Sequence, residues 1–485
     1  MHTDRVHGRP SSGSGHFWVF VVVGFTGSLG AVLAGATIGS NPRPHYYRWW
    51  LHVPEGNYAL AHVLFYASVA LLTIGWAGIG AHALKGRLTP ARSWSVLAAW
   101  GSPLIAGAPL FGRDVYSYVA QGELVRRGLN PYMVAPKALG AGPLLSSIAD
   151  VWHNTTSPYG PLFVELTRVT AALSGGSLMV QVIAFRLLEM IGVMLLMVYL
   201  PKVAHHFGAD GGVAVWLGVL SPLALFSAVG SAHNDTLMLG LMVAALALGL
   251  RGARRFAVVL FALAATIKLP ALAGVVFLYA GSWGAGTWRE RIRGTGEATL
   301  ISAAVIVAVT EASGFGWTWL SSRALSIPTE LRVLTSPTVS VGLLLGSLGH
   351  AVGWHAASRS FVTFTQHLGA VAAVLVMAWL AFRTRVDRTT RYLGIALLVV
   401  VLASPTVWPW YFLWGITVLA CTSAQRARFL AGVAGLAMLL VGPGGTPMLG
   451  GNGFYVSGTL VVVGLAWFFA SGQWQRVSQG VDHVH

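Results

Sequence analysis

The chain of 485 residues has a single cysteine, Cys421, so no disulfide can close within it, and this residue lies in an apolar run that does not favour thiol chemistry. Charge is scarce too: Asp, Glu, Lys and Arg together make up 9% of the residues. A soluble domain carries about 25%, and so sparse a set of charges cannot cover a hydrated surface of this size. Soluble enzymes, disordered chains and disulfide-stapled secreted modules are excluded. Acidic residues are the scarcer kind, 15 against 31 Lys and Arg, which leaves a net charge of +16. Such an excess suits nucleic acid, but here the basic residues fall in short clusters between apolar runs. Examples are Arg251, Arg254 and Arg255, and Arg383, Arg385, Arg388 and Arg391. Cytoplasmic loops of membrane proteins have this pattern, so no nucleic-acid partner is expected.

What the chain has in abundance is apolar: 55% hydrophobic residues and a mean hydropathy of +0.68. The reading is an all-α multi-span membrane protein. Apolar runs that could cross a bilayer at ~1.5 Å per residue occupy 17–39, 58–84, 93–111, 179–200, 211–230, 235–250, 256–283, 296–312, 361–382, 392–405, 410–422, 429–441 and 455–470. Run 256–283 begins and ends beside cytoplasmic charge, so it cannot cross once. A break at Lys268, Leu269 and Pro270 makes it a hairpin of two short helices meeting near the outer side, which is tolerated where irregular backbone is buried in protein. Roughly 12–14 transmembrane helices result, with outer-face interfacial helices. Segment 1–16 is expected to be a disordered cytoplasmic tail, 17–471 one polytopic transmembrane domain, and 472–485 a second cytoplasmic tail. Stretches 112–178 and 314–360 are expected outside the membrane.

Because acids are rare, their positions are informative. Arg113 and Asp114 stand where the third run leaves the membrane, followed by Tyr116, Tyr118, Gln121 and Glu123. On a helix, Asp114, Tyr118 and Gln121 share one face. An aspartate at this place also suits a helix N-cap, which does not exclude chemistry. His233, Asn234 and Asp235 occupy a second outer turn with almost no polar loop around it, and Lys268 sits at the apex of the broken hairpin. A lone Lys or Asp deep in a bilayer costs ~2.5–3.5 kcal/mol on insertion scales, so such residues persist mainly when paired or wet. Capping of the turn by His233 to Asp235, and snorkelling of Lys268 to the interface, are the plainer structural readings. The spacing of the outer His and Asp residues does not match a metal site, and no metal or cofactor is expected.

A carboxylate, a cation and tyrosines at the outer face suit a reaction on a phosphate-bearing lipid. The cation stabilises a departing phosphate, and the carboxylate takes a proton from an acceptor hydroxyl. Trp49, Trp50, Trp317, Trp319, Trp408 and Trp410 suit sugar rings, though the interfacial aromatic belt accounts for most of them equally well.

These residues resemble a known family. Residues 114–123 (DVYSYVAQGE), 128–132 (GLNPY), 157–161 (SPYGP), 233–235 (HND), 267–270 (IKLP) and 404–411 (SPTVWPWY) are similar, in order, to strings of actinobacterial polyprenol-phosphate-mannose-dependent α-1,6-mannosyltransferases. Those enzymes build the mannan backbone of lipomannan and lipoarabinomannan. The resemblance implies a type-C glycosyltransferase fold in the cytoplasmic membrane with the active site facing outside. It implies transfer of mannose from polyprenyl-phosphate-mannose to a lipid-linked α-1,6-mannan, with Asp114 as general base. Arg113 and Lys268 are the candidates for the donor phosphate. Tyr116, Tyr118, Tyr159, His233, Asn234 and Asp235 are candidates for substrate contact. A β-linked donor giving an α-linked product implies inversion by single displacement, for which one well-placed carboxylate suffices; a close pair is the retaining arrangement. Two other readings stay open: transfer of another lipid-linked sugar such as arabinofuranose, and a transporter or flippase of lipid-linked sugar. The second would call for internal pseudo-symmetry, whereas the polar residues here gather near one side.

Overall fold

The computed structural model describes residues 13–40, 57–282, 287–320, 336–354, 358–422, 430 and 442–445. Among these the chain is helical and has no strand. Nearly all of runs 429–441 and 455–470, the tail 472–485, and Trp49 and Trp50 lie outside the described residues. The principal helices are α1 (Gly13–Ile38), α2 (Tyr58–Ala83), α3 (Pro90–Ala106), α4 (Asp114–Arg126), α5 (Pro161–Leu173), α6 (Leu178–His206), α7 (Gly211–Gly218) and α8 (Asp235–Leu250). They continue as α9 (Arg254–Ala265), α10 (Ala273–Ser282), α11 (Trp288–Ser313), α12 (Pro337–Ala351), α13 (Ser358–Arg383), α14 (Thr389–Ala403) and α15 (Phe412–Leu419). Helix α1 starts at Gly13, inside the segment expected to be a tail.

Among the described residues, α1, α2, α6, α11 and α13 are long and apolar enough to cross a membrane. The protein is an all-α multi-span membrane protein. Run 211–230 is not one straight helix. It stops at Gly218, restarts at Pro222 after a bend of 55°, and ends in a π-helical turn, Phe226–Gly230. Ser221 caps the restart and Pro222 takes its first position, where a missing N–H costs nothing. Other runs read as crossings, such as 235–250, 392–405 and 410–422, form helices of 16, 15 and 8 residues. Helix α12 lies in the stretch 314–360; Ser336 caps it, and it packs against α13.

The break at Lys268 divides α9 from α10 through a 3-10 turn, Leu269–Leu272. Both arms return to the basic end of α8: a Cβ on Gly249 would touch Ala257 of α9 and Leu278 of α10. Helix α8 carries Asp235 at its first residue and Arg251 just past its last. Its 16 residues hold the two ends about 24 Å apart.

In lipid, water cannot satisfy buried polar groups, so helices must satisfy each other's. Trp76 Nε1 donates to the Trp216 carbonyl at 3.0 Å, and Trp216 Nε1 returns the bond to the Trp76 carbonyl at 2.8 Å, with the two indoles stacked. Helices α6 and α8 touch backbone to backbone, as small residues permit. A Cβ on Gly192 would stand 2.3 Å from the Thr236 carbonyl oxygen, and one on Gly240 2.5 Å from that of Gly192. At the periphery, α11 and α13 expose Leu300, Val307, Phe364, Leu375 and Phe382, an apolar surface suited to acyl chains.

Candidate active site

The segment after α3 delivers Asp114 on a tightly held backbone. Phe111 has φ 61°, a conformation that costs a non-glycine residue about 1–3 kcal/mol. Tertiary contacts hold it there. Its N–H donates to the Pro443 carbonyl at 2.8 Å, the Gly112 N–H donates to Ser40 Oγ at 3.0 Å, and the Ser231 hydroxyl donates to the Leu110 carbonyl. Helix α4 then starts at Asp114 with Arg113 in the N-cap position and no side-chain cap. Asp114 therefore does not cap its helix. Its Oδ1 accepts the indole N–H of Trp152 at 3.0 Å, and its Oδ2 lies 3.4 Å from His233 Nδ1.

His233 arrives on equally constrained backbone. The π turn precedes it, Ala232 has φ 55°, and its own N–H donates to the Ser227 carbonyl at 3.0 Å. Such π turns often mark functional sites. The imidazole stacks on Trp410 with centroids 3.7 Å apart, and Trp410 stacks on Trp408. Gly112 passes over the ring so closely that a Cβ there would stand 2.9 Å from His233 Cε1. His233 is 1% exposed, and neither ring nitrogen makes a hydrogen bond of normal length and angle among the described residues. The Asn234 side chain, fully buried at the N-cap of α8, likewise has no such bond among them.

Asp235 and Lys268 pair: Nζ donates to Oδ1 at 2.8 Å, and Trp414 Nε1 donates to the same oxygen at 2.6 Å. The ammonium lies 4.5 Å from the Tyr411 ring centre and 5.3 Å from that of Trp414. Tyr159 joins them because its loop docks on the broken hairpin. The Gly160 N–H donates to the Ile267 carbonyl and the Leu162 N–H to that of Thr266, each at 3.1 Å. Tyr159 meets Tyr118 edge-on at 5.2 Å, and Ser157 donates to Gln121 at 2.9 Å. Burial, then the neighbouring phenol and the carboxylates of Asp114 and Asp235, push the Tyr118 hydroxyl well above its ordinary pKa. Burial and then Asp114 do the same for Tyr159. Both phenols stay protonated and able to donate.

The sequence candidates thus converge unevenly. Asp114, Tyr118, Tyr159, His233, Asp235 and Lys268 form one cluster with Arg113 at its edge. Tyr116, half a turn round α4, is fully buried and interacts with Arg186 of α6 instead. No described residue pairs with the Arg113 guanidinium, whereas Lys268 is engaged by Asp235. Sequence reasoning passed over Trp152 and Trp414, which hold the two carboxylates, and over Arg186 and Glu189. Arg186 and Glu189 left a signal: two charges inside the otherwise apolar run 179–200. Among the described residues, no three His, Cys, Asp or Glu side chains gather as a metal site would require.

Chemically, the cluster offers one carboxylate, Asp114, that no lysine or arginine among the described residues neutralises; its side chain is 13% exposed. A second, Asp235, is neutralised, and a cation stands beside them among aromatic walls.

Residues 21–284 match the family described as alpha-(1->6)-mannopyranosyltransferase, N-terminal domain, and residues 338–471 match the MptB C-terminal domain. The chain is 31% identical over 451 residues to alpha-(1->6)-mannopyranosyltransferase A of Mycobacterium tuberculosis, covering 87% of this chain and 84% of that one. It is 30% identical over 441 residues to a probable alpha-(1->6)-mannopyranosyltransferase of Mycolicibacterium smegmatis, covering 83% and 78%. It is 28% identical over 450 residues to alpha-(1->6)-mannopyranosyltransferase B of Corynebacterium glutamicum, covering 84% and 74%. No solved structure matches. With more than half its length matched by one family description, and relatives aligned over most of both chains, the protein belongs to the alpha-(1->6)-mannopyranosyltransferases, a family of membrane glycosyltransferases.

Proposed function

We propose that the protein transfers mannose from polyprenyl-phosphate-mannose to a lipid-linked α-1,6-mannan, with inversion, on the outer face of the cytoplasmic membrane. Asp114 takes the proton from the acceptor hydroxyl. The freed oxygen attacks the anomeric carbon, the bond from that carbon to the phosphate oxygen breaks, and polyprenyl phosphate leaves with the bonding pair. Arg113 faces the phosphate and offsets its growing charge. Lys268 holds Asp235 and stands beside the aromatic rings of Tyr159 and Tyr411.

The observation that carries the reading is Asp114: a carboxylate without a lysine or arginine partner among the described residues, held by Trp152 and exposed enough to meet a hydroxyl. A base must be ionised and within reach of the proton it removes. The outward orientation rests on charge. The cluster stands at the Asp235 end of α8 and the basic residues Arg251, Arg254 and Arg255 at the other, and Lys and Arg stay on the cytoplasmic side.

The test uses membranes containing the protein, polyprenyl-phosphate-mannose and a short synthetic α-1,6-mannoside, with linkage analysis of the product. A product extended by an α-1,6 bond, absent with Asp114→Asn, is expected. An unchanged rate in that variant removes Asp114 from the mechanism. A product carrying another sugar from a competing donor lipid replaces the proposed donor.

A further inference from the structure

Two buried charges on α6 take no part in the chemistry described above. Arg186 is fully buried and Glu189 is 1% exposed. Charges inside a membrane bundle are expensive and persist where they are satisfied and serve function. These two are held in an unusual way, by the ends of other backbone segments.

Arg186 Nη1 donates to the carbonyls of Ile105 at 2.8 Å and Gly107 at 2.6 Å; Nη2 donates to that of Gly230 at 2.8 Å. Ile105 and Gly107 form the end of α3, a few residues before Asp114. Gly230 ends the π turn, three residues before His233. A cation at these carbonyls meets the negative end of each segment, and the flat, forked guanidinium spans acceptors that a lysine ammonium cannot hold together. Glu189, one turn along α6, accepts the Leu237 N–H at 2.9 Å. Its carboxylate thereby caps the start of α8 in place of Asn234, whose side chain makes no cap. The Gly192 contact with the Thr236 carbonyl brings α6 close enough for this.

We propose that Arg186 and Glu189 are positioning residues of the transfer reaction. One turn of α6 pins the three segments that carry Asp114, His233 and Asp235, and so sets the distance between the base and its neighbours. The proposal rests on the assignment of Asp114 as base. Neither residue touches substrate, so the effect falls on the rate of the chemical step rather than on donor binding.

The experiment compares Arg186→Lys, Arg186→Met, Glu189→Gln and Glu189→Leu with Asp114→Asn and the unaltered protein, each purified into lipid nanodiscs. It measures kcat, KM for polyprenyl-phosphate-mannose, and thermal melting. Misplacing a reacting group by ~1 Å can cost ~100-fold, so Glu189→Leu and both Arg186 variants are expected to lose about tenfold to 100-fold in kcat. Their donor KM should stay within about threefold of the unaltered value. Glu189→Gln keeps an acceptor oxygen for the α8 amide, and its kcat should stay within about threefold. Arg186→Lys keeps the charge and is the variant most certain to fold, so it decides if Arg186→Met does not. Unaltered kcat in Arg186→Lys and Glu189→Leu, beside an inactive Asp114→Asn, overturns this inference alone. Equal loss in Glu189→Gln and Glu189→Leu also overturns it, because the charge and not the capping would then matter. A fully active Asp114→Asn overturns the base assignment and the inference with it.

Discussion

The Asp114 carboxylate lies 3.4 Å from the His233 imidazole, and both residues follow a non-glycine residue in left-handed backbone, Phe111 and Ala232. Strained backbone of this kind persists where the surrounding structure over-determines it. Here that structure is the Ser231–Leu110 hydrogen bond, which ties the two approaches together directly. The pair is therefore built into the fold and does not depend on bound substrate to form.

Removing the base should be the most damaging change. General-base catalysis is worth about 10²–10⁴-fold, so Asp114→Asn should lower kcat by at least ~100-fold while the protein still inserts and melts normally. The assay is mannose transfer in membranes, normalised to protein detected by immunoblot.

Gly112→Ala should damage activity without touching a polar group. The added methyl would stand 2.9 Å from His233 Cε1, and the ring, stacked on Trp410, has no easy retreat. A displacement of several tenths of an ångström should cost about tenfold in kcat. A fully active Gly112→Ala enzyme would show that His233 need not hold its place.

Arg113→Met should weaken interaction with the departing phosphate. Charge-assisted bonds to phosphate are roughly twice as strong as neutral ones, and the developing charge is greatest in the transition state. A fall of about 100-fold in kcat/KM is expected, measured by varying polyprenyl-phosphate-mannose at fixed acceptor.

The Asp235–Lys268 pair gives a stability prediction. Breaking a buried pair by removing one partner costs about 3–5 kcal/mol, and Lys268 retains some exposure, so Lys268→Met should cost about 3 kcal/mol. The double variant Asp235→Asn with Lys268→Met should recover part of that. Thermal melting of the four proteins in detergent forms the cycle.

A smaller effect should appear on acidification. In the outer loop Glu123 binds Arg126 at 2.7 Å and Arg127 at 2.8 Å. The Arg126 hydrogen bond, against some desolvation, lowers its carboxyl below the ordinary value of 4.5. A carboxyl lowered by folding stabilises the folded state fully above its unfolded pKa, and that support is lost as pH falls through the folded one. The exposed arginines keep the contribution under about 1 kcal/mol. Glu123→Gln should therefore lower stability by up to about 1 kcal/mol at pH 7 and flatten the pH dependence of melting below about pH 4.5, where the two proteins converge.

Much of the site was legible because acids are rare in this chain. Asp114, His233, Asp235 and Lys268 stood out as polar residues with no loop to justify them, and they converge. The hairpin break was legible because basic clusters on both sides forbade a single crossing. The 55° bend before Pro222 was not, since apolar composition continues through it. Nor were the partners of the carboxylates. Trp152 and Trp414 are two of 19 tryptophans, and nothing in local spacing separates an indole that holds a carboxylate from one that sits in a lipid belt. Arg186 and Glu189 were visible as charges in an apolar run, but their acceptors are backbone groups supplied by distant segments, which no side-chain pattern records. Tyr116 stands apart from the cluster because the half turn of α4 between it and Asp114, invisible to proximity in sequence, directs it toward Arg186.

The broken hairpin has a bearing on how the chain is threaded. Since α9 and α10 leave and return at the Gly249 end of α8, the segment adds an even number of passages and cannot reverse the sense of whatever follows it. Reporter domains inserted at Gly252 and at Thr287 should consequently sit in the same compartment, even though a hydrophobic stretch long enough to separate them lies between.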